Sequence, residues 1–175
     1  MILGIDPGGN GGICLMNLNG EIVKYNKLHP KGFDDINSIK ILLEEYMTTD
    51  VSHIFLEDVH AMRNVQASAT FGLGFACGFI RAICLISEIE IKMIQPKEWQ
   101  KIVWIEKDMV REPTKRKKKD GSFVMKTLTK ETSLNSARRI WPNETFFATK
   151  RSYTPHDGII DSCLIALAGT KIIQK

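Results

Sequence analysis

At 175 residues and 43% hydrophobic content, the chain has the size of one domain (residues 1–175) and enough apolar material for a real core. No apolar stretch reaches the roughly 18 residues of a membrane span, and the apolar run from Met1 meets an acid at Asp6, which argues against a signal peptide. The net charge of +4 is uneven: residues 1–96 hold 7 Lys+Arg against 11 Asp+Glu, whereas residues 97–139 hold 13 against 6. A basic middle beside an acidic first half suits an enzyme that holds a polyanion with one surface and cuts it with another; a solvated charged loop is the plainer alternative.

In chain order, Met1 to Asp6 is so continuously apolar that a strand buried on both faces is expected. Pro7 to Gly11 makes a tight turn, Gly12 to Asn17 a second strand, and Asn19-Gly20 a hairpin turn into a third strand, Glu21 to Lys27. These three form an antiparallel meander. Ile36, Ile39, Leu42, Leu43 and Tyr46 fall at helical spacing within a helix from about Asp34 to Met47. Val51 to Glu57 follows that crossover helix and should therefore lie parallel to the first strand. A long helix from about Gln66 to Ile86 carries Gly72, Gly74 and Gly78, for which close packing on the sheet is the expected reason. Ile89 to Ile94 is a fifth strand, and Pro96 starts a short helix through Trp99. Residues 107 to 127 read as the least structured part: a basic, flexible loop at about 107–125 whose like charges repel and whose sequence has no apolar period. Two helices close the chain, one from Thr129 as cap to Ile140, the other opened by Thr154 as cap with Pro155 at its first position. Cys14, Cys77, Cys84 and Cys163 form no CxxC pair and lie in apolar stretches, so free buried thiols in a reducing compartment are expected, not zinc ligands.

Four carboxylates carry the chemistry. Asp6 and Glu57 each end an apolar strand, and on parallel neighbours they would share the carboxyl edge of the sheet, where open α/β sheets place ligands. Asp157 and Asp161 lie four apart on one helical face. Gathered carboxylates raise one another's pKa unless a cation neutralises them, and a hard oxygen-liganded ion such as Mg²⁺ fits. Each acid has a plainer reading. Asp6 can be a turn residue, Glu57 a strand terminus, and Asp157 the acid of a Thr154-x-x-Asp157 capping box. Asp161 is harder to dismiss, because it sits inside an apolar helix where an unpaired charge is costly. The set implies a metal-dependent enzyme acting on phosphate esters, with nucleic acid as the polyanion.

The segments ILGIDPGG, IFLED, Met62-Arg63-Asn64 to Gly78, PKEWQK, LTKETSLNSARRIWP and HDGIIDSCLIALAG, in this order, resemble the RuvC family of Holliday-junction resolvases, closest to its phage-borne branch. The resemblance covers nearly the whole chain. It implies an α/β, ribonuclease-H-like mixed five-stranded sheet, three strands antiparallel and then two parallel, flanked by helices. It also implies a homodimer, two Mg²⁺ (or Mn²⁺) ions per active site, paired nicks across a four-way junction, 5′-phosphate and 3′-hydroxyl ends, and a cytoplasmic setting in a bacterium or a phage-infected host. Carried over, Asp6, Glu57 and Asp161 are metal ligands. Bacterial members place the fourth ligand three residues before the last acid, which is Gly158 here; Asp157, four before it, follows the phage pattern. Lys130 matches a lysine near the scissile phosphate, against the plainer reading of an exposed helix lysine. His60 and Met62 fall where the family inserts a side chain at the junction centre, or form a plain surface loop, and Arg63 beside them is a further candidate DNA contact. Lys97, Lys101, Lys115, Arg116, Lys117, Lys118, Lys119, Lys150 and Arg151 are candidate DNA backbone contacts.

Two other classes compete. Asp-Pro-Gly-Gly after a strand also resembles the phosphate loop of the actin and sugar-kinase superfamily, which needs two such domains, more than 175 residues can hold. A non-catalytic binder of branched DNA has no need of four intact carboxylates. The long helix from Gln66 to Ile86 is the expected dimer surface, since Phe71, Phe75 and Phe79 recur every four residues beside its glycines; packing on the protein's own sheet competes for that face.

Overall fold

The structure, a computed structural model, describes residues 1–29, 35–59 and 66–174. Strands β1 (Ile2–Asp6), β2 (Gly12–Met16) and β3 (Ile22–Lys27) form the antiparallel meander. Helix α1 (Ile36–Tyr46) crosses over to β4 (His53–Glu57), which pairs parallel with β1. Helix α2 (Ala67–Ile86) leads to β5 (Glu90–Ile94), parallel to β4, and completes a sheet of order β3-β2-β1-β4-β5. Helices α3 (Pro96–Val103), α4 (Thr129–Ile140) and α5 (Asp157–Ile173) follow.

Both faces of the central strands are covered, as a continuous apolar run requires. Leu3 and Ile5 of β1 pack with Ile39 and Leu43 of α1 and Ile80 and Cys84 of α2. Ile2 faces the other way, with Phe55, Trp99 of α3, Ala137 of α4 and the buried stretch Ile159 to Ala168 of α5. Helix α3 runs one turn beyond the expected Trp99 because Trp99 and Val103, four residues apart, bury on one face. Among the described residues no helix is long and apolar enough to cross a membrane.

Two expectations are corrected. The first concerns α2. Among the described residues of α2, Ala76, Ile80 and Cys84 are buried, while a Cβ added at Gly74 or Gly78 would meet no described atom within 4 Å. These two glycines therefore do not serve close packing on the sheet, and Phe71, 77% exposed, stands on the open side with Phe75.

The second concerns the basic segment. In place of a loop over 107–125, a short 3₁₀ turn at Glu106–Asp108 leads into a two-stranded antiparallel ribbon, β6 (Arg111–Lys117) and β7 (Phe123–Thr127). Turn chemistry outweighs charge repulsion here. Gly121 adopts φ +84°, the Asp120 carboxylate accepts from the N–H and hydroxyl of Ser122, and Lys118 and Ser122 close the backbone. The cations alternate between two solvated faces, and Lys117 lies over the ring of Phe123 at 5.5 Å from its centroid.

The ribbon's base is fixed. Leu128 donates its N–H to Val110 O, and Val110 donates to Thr132 Oγ1 in the first turn of α4. Just before it, the buried carboxylate of Asp108 accepts from Arg139 Nε and Nη2, Ser136 Oγ and the Ile105 N–H. Arg139 is about one-third exposed, which weakens the pair relative to a fully buried one. Asp108→Asn should therefore lower unfolding free energy by about 2 kcal/mol, read as a urea midpoint shift at constant slope.

Candidate active site

The parallel register Ile5↔Leu56 brings the next residues, Asp6 and Glu57, to the same sheet edge. Asp6 is buried and its Oδ1 accepts from the Gly8 N–H at 2.9 Å. Glu57 Oε1 accepts from Trp99 Nε1 at 2.8 Å. Helix α5 comes to this edge because glycines let it. Gly11 and Gly158 form a parallel bridge, and a Cβ on Gly158 would be driven into Asn10 O, one on Gly12 into Gly158 O. That contact seats Asp157 at the first position of α5, with Asp161 one turn on.

The N-cap of α5 is His156, whose Nδ1 accepts from the Ile159 N–H at 3.3 Å, not Thr154. The capping-box reading of Asp157 falls with it. The Asp157 carboxylate instead takes the ammonium of Lys130, Oδ2 to Nζ 2.6 Å, and this bond holds the Lys130 pKa above its ordinary value. Lys130 stands in the first turn of α4, which begins at Thr129 with Leu128 as its uncapped boundary.

The electrostatics are those of like charges drawn together out of water. Burial, then the neighbouring charge of Asp157, pushes Asp6 up to about 6 against the opposing Gly8 bond. Burial and Asp6 push Glu57 up to about 7. Asp161 is held well above the carboxylate range by burial, Asp6, Glu57 and Asp157, with a Ser133 hydrogen bond opposing. Its Oδ1 is buried with no hydrogen-bond partner among the described residues. An orphaned buried carboxylate oxygen among three other carboxylates fits the donor chemistry of a hard divalent cation. As placed, however, no three His, Cys, Asp or Glu side chains among the described residues are arranged to hold an ion.

Sequence reasoning missed three contributors. Trp99 orients Glu57, Ser133 reaches Asp161, and His156 caps α5. Trp99 and Ser133 lie inside the quoted motifs, but nothing in their type marks them as partners of an acid. Of the candidate DNA contacts, Lys97 and Lys101 are exposed on α3 and line a groove of about 330 Å³ with Gln100, Trp104, Ile105, Glu106 and Met109. Lys115, Arg116 and Lys117 lie on β6, Lys118 and Lys119 at its turn, and Lys150 and Arg151 are exposed before α5. His60, Met62 and Arg63 lie outside the described residues.

The sheet order, the parallel β1–β4 pair ending in acids and the helices on both faces make this a ribonuclease-H-like α/β fold. The same fold is seen in the solved structure of Thermus thermophilus RuvC in complex with a Holliday junction substrate, with a TM-score of 0.59 and 15% identity over 99% of this chain and 94% of that one. A second Thermus thermophilus RuvC structure gives a TM-score of 0.54 and 16% identity over 99% and 95%. No family model and no curated protein sequence matches the chain.

Proposed function

We propose that this chain is a metal-dependent endonuclease that resolves four-way and other branched DNA junctions by paired nicks, leaving 5′-phosphate and 3′-hydroxyl ends. The observation that carries the reading is the gathering of Asp6, Glu57, Asp157 and Asp161 at one sheet edge, with the buried Asp161 Oδ1 unpartnered. The fold shared with a RuvC solved on a Holliday junction supports the substrate class. Magnesium, or manganese in its place, bound as two ions by these four acids, would supply an activated water and offset charge on the phosphate and the leaving oxygen.

The chain's own residues do the rest. Trp99 fixes Glu57, and Ser133 fixes Asp161. Lys130 is largely exposed and its pair with Asp157 is partly solvated, so the ammonium exchanges partners at little cost and can turn to a phosphate oxygen. Lys97, Lys101, Lys115–Lys119, Lys150 and Arg151 hold the backbone and set position rather than sequence.

The decisive experiment incubates the purified protein with a labelled mobile four-way junction and, in parallel, a linear duplex, in Mg²⁺. Symmetric nicks in the junction alone support the reading. Binding without cleavage makes the chain a branched-DNA binder.

Neutralising Lys115 to Lys119 should weaken binding to junction and duplex alike. It should flatten the log–log dependence of affinity on salt by roughly one unit for each phosphate no longer neutralised. Cleavage at saturating enzyme should survive, and an unchanged slope would leave the run a solvated surface. A homodimer matches the two-fold symmetry of a junction, and the exposed α2 face with Phe71, Phe75, Gly74 and Gly78 is the proposed interface. Sedimentation at micromolar concentration should give twice the chain mass, and Phe71→Asp should shift it to the monomer.

A further inference from the structure

The ribbon carries more than charge. Phe123 and Met125 are 48% and 49% exposed, two residues apart on β7, so they share one face. Their cross-strand partners on that face are Lys117 and Pro113. A free-standing ribbon has no core behind it: the Phe123 ring meets the Lys117 ammonium on one side, and both apolar side chains remain about half exposed. The same ribbon carries Lys115, Arg116, Lys117, Lys118, Lys119 and Lys126, divided between its two faces. The ribbon has only two acids: Glu112 lies opposite Lys126, and the Asp120 carboxylate is turned into the hairpin, accepting from Ser122. Apolar side chains on a strongly cationic ribbon are complementary to a polyanion whose major groove presents thymine C5-methyl groups between its phosphate rows. The ribbon springs from the first turn of α4, where Lys130 meets Asp157, so it projects from the edge of the carboxylate site.

We propose that the β6–β7 ribbon enters the major groove of a duplex arm beside the cut, with its lysines on the flanking phosphates and Phe123 and Met125 against base edges. A two-stranded ribbon matches the groove, roughly 12 Å wide. Seven residues of β6 reach roughly 20 Å, the rise of about six base pairs. The inference rests on reading the chain as a DNA-binding protein, and goes beyond it by naming the element, the groove and the apolar contact.

Dimethyl sulfate reads the groove, because it methylates guanine N7 in the major groove and adenine N3 in the minor. With the full-length protein on a guanine-rich four-way junction, in Ca²⁺, guanine N7 protection is expected in the arm next to the cleaved strand, within about six base pairs of the branch. The double variant Phe123→Ala, Met125→Ala should lose that protection and bind about tenfold more weakly, with the salt slope unchanged. The size-matched pair Phe123→Tyr, Met125→Leu should keep both, and amide hydrogen exchange over residues 111–127 unchanged in the alanine pair separates removal of the apolar ridge from unfolding of the ribbon. Protection confined to adenine N3, protection that survives the alanine pair, or undiminished affinity in that pair each overturns the proposal. Failure of the wild-type protein to bind any DNA would remove the parent reading and this one with it, a result visible before any variant is made.

Discussion

Asp161→Asn should abolish junction cleavage, by at least about 10²–10³-fold, and should at the same time raise the melting temperature of the metal-free protein at pH 8. Both effects come from one fact: a carboxylate oxygen is buried without a partner among like charges. Folding holds Asp6 protonated up to about pH 6 and Glu57 up to about pH 7, with Asp161 raised in the same direction. Their unfolded values lie near 4. Between these limits the native state binds more protons than the unfolded one, so stability falls as pH rises. The contribution is fully present below about pH 4 and lost as pH passes 6 to 7, on the order of a few kcal/mol in all. Asparagine removes part of that penalty. Wild-type protein should melt lower at pH 8 than at pH 5.5 without metal, regain the difference with Mg²⁺, and Asp161→Asn should lose most of the Mg²⁺ response. Junction affinity in the variant should stay within a few-fold, since phosphate contacts supply it. Cleavage near the parental rate, or a Mg²⁺ shift as large as the wild type's, would defeat the assignment.

Gly158→Asp should unfold the site rather than add a ligand to it. The RuvC resemblance makes this position a carboxylate in bacterial members, so the substitution looks like a restoration. Here α5 rests its backbone on the β1–β2 turn, and a Cβ would be forced against Asn10 O and the backbone of Gly11. Backbone cannot swing aside as a flexible side chain can, so the cost belongs at or above the usual overpacking range, about 3 kcal/mol. Asp6 stands at the start of the same turn and would move with it. The expected result is a urea midpoint well below the parent's at unchanged slope, with cleavage lost even where the fold survives at low temperature. Gly158→Ala should show the same stability loss, because the clash begins at Cβ. A stable, active Gly158→Asp would mean that the close approach of α5 is not needed.

What is legible in the sequence is whatever depends on runs and their ends. The apolar stretches ending at Asp6 and Glu57 predict two strands, and the crossover helix between them predicts their parallel pairing. The i,i+4 spacing of Asp157 and Asp161 predicts a shared helical face. What is not legible depends on where two distant backbones meet. Thr154-Pro155 has the composition of a helix start, yet the helix begins two residues after Pro155, where Gly158 touches Gly11 and His156 supplies the cap. Glycine in α2 suggests intimate packing, but which face of a helix is buried is decided by its apolar row, here Ala76, Ile80 and Cys84. The basic segment reads as a loop when charge density is set against apolar period, while a turn and a cation–ring contact suffice to pair two short strands.

The base of the ribbon has a consequence for how such a chain diversifies. Val110 and Leu128 are hydrogen-bonded neighbours, so residues 111–127 leave the domain and return at one point. The sheet, the four acids and the two strands and one helix that carry them lie outside this excursion. It is a graft on a closed scaffold, and can lengthen, shorten or change its charge without moving the four carboxylates. Under the proposed function, selection on which DNA shapes are gripped would proceed separately from selection on how the phosphodiester is cut.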